Sequence, residues 1–126
     1  MPALETLPGL RIVASPEALD AAPWSAGTVV LRFAPDDAFA IGATAVDIAD
    51  EHAIVAEESG FVGRWLTREE LDDRLVTHIE WPLPTDLLAL AQGLIAGVPA
   101  KLWLTTDRVL LVCAAAYAAE LADRLG

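Results

Sequence analysis

The densest group of side chains able to do chemistry is Asp47, Asp50, Glu51 and His52, which sit almost side by side in the chain. Hard cations such as Ca²⁺ or Mg²⁺ take several oxygens, yet this spacing is not that of an EF-hand loop, and no second histidine is near in sequence. A solvated turn, with His52 bonding locally, is the reading preferred. His78-Ile79-Glu80 matches the H-x-E fragment of zinc deaminases, in which the histidine holds zinc and the glutamate moves protons. That site also needs a P-C-x-x-C segment, and Cys113 is the only cysteine, so the match fails. A histidine ending a helix, where the dipole favours its cation, explains His78 better.

A Cys113–His nucleophile pair has no local support, because Cys113 closes the apolar run Val109-Leu110-Leu111-Val112, where cysteine acts as a small buried hydrophobe. Ser25 and Ser59 lack the glycine-flanked elbow of a hydrolase nucleophile. Gly93 and Gly97 form a GxxxG whose helix would be too short to span a membrane, so close packing or a helix C-cap accounts for them. No catalytic, cofactor-binding or metal-binding residue is assigned, and no cofactor is expected to be bound by this chain. What remains are aromatic contacts. Of Trp24, Trp65, Trp81 and Trp103, Trp81 precedes the stiff Pro82-Leu83-Pro84, and Trp103 shares a strand face with Lys101. Trp65, Trp81, Leu83, Lys101 and Trp103 are therefore the interface candidates.

The elements that carry these residues belong to a chain of 126 residues, the size of one domain, with 55% apolar residues and a net charge of −11. Such a surface repels phosphate backbones and anionic lipid, and the scattered arginines form no basic stripe, so neither nucleic acid nor a membrane is an expected partner. The opening residues show no signal-peptide pattern, which together with the single cysteine points to a cytoplasmic protein.

Residues 1–9 read as a mobile lead-in and 10–126 as a single domain. A strand over 10–14 leads to a helix over 16–22, capped by Ser15 with Pro16 at its first position. Residues 28–33 form a strand ended by Pro35-Asp36-Asp37, while 38–41 and 45–48 are ambiguous. Residues 53–56 and 61–66 read as a hairpin in which Gly60 supplies a positive φ. Thr67-Arg68-Glu69-Glu70 is a capping box, starting a helix with Leu71, Leu75 and Ile79 on one face. A second helix, capped by Thr85 or Asp86, presents Leu87, Leu88, Ala91, Leu94 and Ile95 to the core and stops at Gly97. Strands over 100–105 and 108–113 and a helix over 114–125 complete the chain. The fold class is α+β: a mixed or antiparallel sheet with helices packed on one side, ending in a β-hairpin plus C-terminal helix.

Three stretches carry a family resemblance: Ser59-Gly60 leading into a helix ending at Ile79-Glu80; Ala91-Gln92-Gly93-Leu94-Ile95-Ala96-Gly97-Val98-Pro99 running into Leu102-Trp103-Leu104-Thr105; and Val109-Leu110-Leu111-Val112 followed by Tyr117-Ala118-Ala119-Glu120-Leu121. Over residues 53–125 the chain resembles the sarcosine oxidase gamma subunit family, with its aminomethyltransferase-like fold. The resemblance implies a non-catalytic accessory subunit of a flavin-dependent oxidoreductase acting on N-methylated amino acids, with flavin or folate held by partner subunits. Other protein subunits or self-association are then the expected contacts. The chain is much shorter than that family, and its N-terminal half does not align. Two other readings compete: a stand-alone small-molecule binding domain or small enzyme using Asp47, Asp50 and Glu51, and an acidic inhibitor or nucleic-acid mimic.

Overall fold

The computed structural model describes residues 3–126, so Met1 and Pro2 of the expected lead-in lie outside the described residues. Its backbone sorts into two compact units, one formed by residues 3–6 and 60–126 and the other by residues 7–59. Each unit holds one antiparallel sheet, and with its short helices the fold is α+β. Among the described residues no helix is long and apolar enough to cross a membrane.

The unit formed by residues 7–59 holds β2 (Gly9–Val13), α1 (Pro16–Asp20), β3 (Val29–Ala34), β4 (Asp37–Ile41) and β5 (Ile54–Glu58), with strand order β3-β4-β2-β5. Ser15 caps α1 as the sequence implies, its hydroxyl accepting from the Ala18 N–H at 3.2 Å, with Pro16 at the first turn. Alternation along β2 sends Leu10 and Ile12 to the core, where they meet Ala18 and Leu19 of α1. The opposite face carries Arg11, whose guanidinium grips Asp37 through both carboxylate oxygens at 2.6 and 2.7 Å and reaches Glu58 at 3.3 Å. Residues 45–48, ambiguous in sequence, form no regular element.

The unit completed by residues 60–126 is a sheet of order β1-β6-β9-β8-β7, made of β1 (Glu5–Thr6), β6 (Phe61–Thr67), β7 (Ala89–Ile95), β8 (Val98–Leu104) and β9 (Arg108–Ala114). Glu5 and Thr6, within the expected lead-in, pair with Gly63 and Val62. The capping box closes as expected: Thr67 accepts from the Glu70 N–H, and the Glu70 carboxylate takes the Thr67 N–H. Helix α2 (Arg68–Glu70) then widens into a π turn (Leu71–Leu75) and tightens into a 3₁₀ turn (Val76–His78). Leu71 and Leu75 from this segment, and Leu121 and Leu125 from α3 (Ala118–Leu125), cover one face of the sheet.

Two expectations are corrected. Residues 53–56 and 61–66 form no hairpin, because β5 pairs with β2 and β6 pairs with β1 and β9, and Gly60 has no positive φ. Their turn signal at Ser59-Gly60 marks the junction between the two units instead. The helix expected after Asp86 is strand β7, paired with β8 along its whole length. Ala91 and Ile95 fit both a helical and an alternating register, and a short apolar run does not separate the two by periodicity alone. Gly97 decided wrongly for a C-cap: with Ala96 at φ 51° and Gly97 at φ 78°, the pair makes the two-residue turn that joins β7 to β8.

Candidate interaction site

The β7–β8 turn is held from two directions. The Ala96 N–H donates to the His78 carbonyl at 2.9 Å, and the Ala96 carbonyl accepts from Arg124 Nη1 at 2.8 Å. Arg124 also pairs with Glu120 one helical turn back, so α3 and the end of the 68–78 segment both fix the hairpin tip.

Trp81 lies against this hairpin. Gly93 and Ala100 are cross-strand neighbours on the covered face of the sheet, and their small side chains leave room for the indole. A Cβ at Gly93 would lie 2.6 Å from the Trp81 ring, so the glycine is what lets the ring sit down on the strand. The indole Nε1 donates to the Leu94 carbonyl at 2.8 Å, and Trp81 and Leu83 both pack on the core. Trp81 is thus half-buried and anchored, not the free aromatic on an extended segment that the sequence suggests. The GxxxG glycines serve two local purposes: Gly93 seats a ring and Gly97 makes a turn.

Beside the anchored ring opens a cleft of about 400 Å³ lined by Thr77, His78, Glu80, Trp81, Leu94, Ala96 and Gly97. His78 and Glu80, which fail as a deaminase fragment, reappear here as polar rim groups. Leu94 on the cleft wall is 54% exposed, and Leu87 and Leu88, just before β7, are 46% and 63% exposed. These three leucines were expected to face the core from a helix. As a strand, β7 sends Ala91 and Ile95 inward and Leu94 outward. Period-two alternation was the signal that would have found them.

The other interface candidates lie on the opposite sheet face. Register aligns Trp65, Leu110, Trp103 and Leu90 in one row across β6, β9, β8 and β7. In the adjoining row Lys101 Nζ donates to Gln92 Oε1 at 3.0 Å. The Arg108 guanidinium stacks 3.8 Å over the Trp65 ring, a cation–π contact that uses one face of that indole. The five candidates therefore divide between two faces and do not form one patch.

The acidic cluster is structural in the part that can be traced. The Asp50 carboxylate accepts from the Ser15 N–H at 2.8 Å and the His52 N–H at 2.9 Å, tying the loop to the start of α1. Those two backbone donors hold the Asp50 pKa below the usual aspartate value. Glu51 and His52 form an exposed contact at 3.4 Å, and among the described residues no three His, Cys, Asp or Glu groups are placed to share a metal ion. Cys113 is buried in the core beside Val62, and burial pushes its thiol pKa up, away from nucleophilic thiolate chemistry. Ser25 and Ser59 are both exposed.

No family model matches the chain. No curated protein and no solved structure matches it either.

Proposed function

We propose that this chain is a non-catalytic, cytoplasmic accessory subunit that binds a larger protein through the exposed leucines around β7 and the cleft beside Trp81. The observation that carries the reading is the set of exposed leucines on and before β7, Leu87, Leu88 and Leu94, the last of which lines the cleft beside the anchored Trp81. Exposed apolar groups that adjoin a preformed cleft with a polar rim have the makeup of a contact surface. Each leucine is about half exposed, so covering it contributes roughly half of the full-burial value, about 0.8–1.5 kcal/mol. The anchored indole loses little entropy on binding, because packing and the bond to Leu94 already hold it.

The partner class follows from the resemblance over residues 53–125: the larger, flavin-bearing subunits of an oxidoreductase that acts on N-methylated amino acids. Flavin and folate would belong to those subunits. The test is affinity purification of the tagged chain from its own cell, followed by native mass measurement and a flavin absorbance spectrum of the complex. A flavoprotein in fixed stoichiometry is expected. Leu94→Asp, which places a charge on the cleft wall, should weaken the complex by at least about tenfold, the loss of about 1.4 kcal/mol. A chain that stays monomeric, or that binds only proteins without flavin, overturns the reading.

A further inference from the structure

Among the described residues four strand edges bound the two sheets, and three of them are short, irregular or capped at one point. Strand β1 is only two residues long. Along β3 the register shifts between Arg32 and Ala34, a bulge that spoils the edge for pairing. The edge of β7 has its Leu94 carbonyl occupied by the Trp81 indole. Strand β5 differs from all three: its five residues keep unbroken register with β2, and neither proline nor lysine interrupts it. Native proteins normally protect such an edge with one of these devices.

Which groups it offers follows from the pairing of β2. The Ala14 N–H donates to the Asp36 carbonyl and the Pro8 carbonyl accepts from Gly42, so the even-numbered positions of this stretch point their polar groups towards β4. The odd positions Gly9, Arg11 and Val13 therefore bond β5, through their partners Glu58, Ala56 and Ile54. Val55 and Glu57 are left with N–H and C=O groups directed away from the sheet. Ile54 is 65% exposed and Val55 44% exposed, on opposite faces of the strand. At the far end Glu57 and Glu58 line a second cleft, of about 260 Å³, with Thr44, Ser59 and backbone around Gly9 and Gly42.

We propose that β5 is a docking edge for an extended, basic segment of another protein, which adds as a fifth strand. Backbone pairing at Val55 and Glu57 supplies the attachment; on one face of the added strand apolar side chains cover Ile54, and on the other, which carries Val55 and Glu57, a lysine or arginine enters the cleft beside Glu57. Charge selects this occupant over a second copy of the chain. Two copies of net charge −11 repel, and antiparallel self-pairing through the open groups sets Val55 against Glu57 twice, which gives neither glutamate a counter-charge. The proposal concerns the 7–59 unit alone and does not depend on the reading of the β7 surface.

The test uses the full chain and an eight-residue peptide of alternating lysine and valine, with the glutamate–valine peptide as control, read by amide hydrogen exchange. The lysine peptide should slow exchange at Val55 and Glu57 by at least about tenfold, with the effect fading as salt rises. Val55→Pro removes an outward N–H and leaves the bonds to β2 in place, so it should abolish protection while circular dichroism stays native. Should that variant misfold, Glu57→Lys serves instead and should exchange the peptide preference, favouring the glutamate peptide. Leu94→Asp should leave peptide binding unchanged, which separates this edge from the β7 surface. Equal protection by both peptides, protection by neither, or protection that grows with protein concentration alone overturns the proposal.

Discussion

Replacing Gly93 by alanine adds one methyl group and should destabilise the protein, although alanine suits a strand better than glycine. The new Cβ would lie 2.6 Å from Trp81 Cε2, 2.7 Å from Nε1 and 2.9 Å from Cζ2. Carbon contacts relax at about 3.5–4.0 Å, so the ring must retreat by roughly 1 Å. A retreat of that size stretches the 2.8 Å bond from Nε1 to the Leu94 carbonyl beyond useful range. The lost bond costs about 0.5–1.5 kcal/mol, and the displaced packing adds about 1–3 kcal/mol. Against this, alanine recovers about 0.5–1 kcal/mol of backbone entropy. The net expectation is a loss of about 0.5–4 kcal/mol by urea denaturation followed by circular dichroism. The decisive measurement repeats Gly93→Ala in a Trp81→Ala background, where the same methyl should be neutral or stabilising by about 0.5–1 kcal/mol. Equal costs in both backgrounds would refute the claim that Gly93 exists to seat the indole.

Three further outcomes are expected. Ala96 holds φ 51° in a turn where asparagine is favoured before glycine, so Ala96→Asn should stabilise by about 0.5–1 kcal/mol, seen as a raised Tm. Asp50 has its pKa depressed in the folded state, so its contribution is present above the unfolded aspartate value of about 3.9 and is lost as pH falls through the folded value. Urea titrations from pH 7 down to pH 3 should accordingly show Asp50→Ala destabilised at neutrality and converging on the parent protein in acid. Arg64 carries the one buried side-chain nitrogen without a hydrogen-bond partner among the described residues, its Nε, and it pairs across from core residue Leu111. Arg64→Met keeps the volume and removes the unmet donor, so it should leave stability unchanged or raise it by about 1 kcal/mol in thermal melts.

Legibility followed how local each signal was. The Ser15 cap and the Thr67–Glu70 capping box are contacts between residues three apart, and both form as the sequence implies. The β8–β9 hairpin was legible for the same reason: apolar alternation on either side of a two-residue turn, with the Thr105 N–H closing onto the Arg108 carbonyl. Partner choice was not. Strands β5 and β6 flank a turn-like dipeptide, yet they join different sheets, and only contacts distant in sequence decide that. Strand β7 was misread because alanine, leucine and glycine at 89–97 satisfy either period. The arbiter is Trp81, whose need for a flat seat is met by Gly93 in a strand.

That misreading also hid the candidate contact surface. A helix would have turned Leu94 inward with Ile95, whereas the strand separates them onto opposite faces and leaves Leu94 in the open. The same alternation that exposes the leucine puts its carbonyl on the strand's free edge, where Trp81 caps it. One indole thus occupies the Leu94 carbonyl on the β7 edge and walls the adjoining cleft, which suits this surface to side-chain docking. Strand β5 has no such cap, and its open groups at Val55 and Glu57 suit backbone pairing. The two surfaces therefore call for different kinds of partner segment: a shaped apolar protrusion at β7 and an extended basic strand at β5.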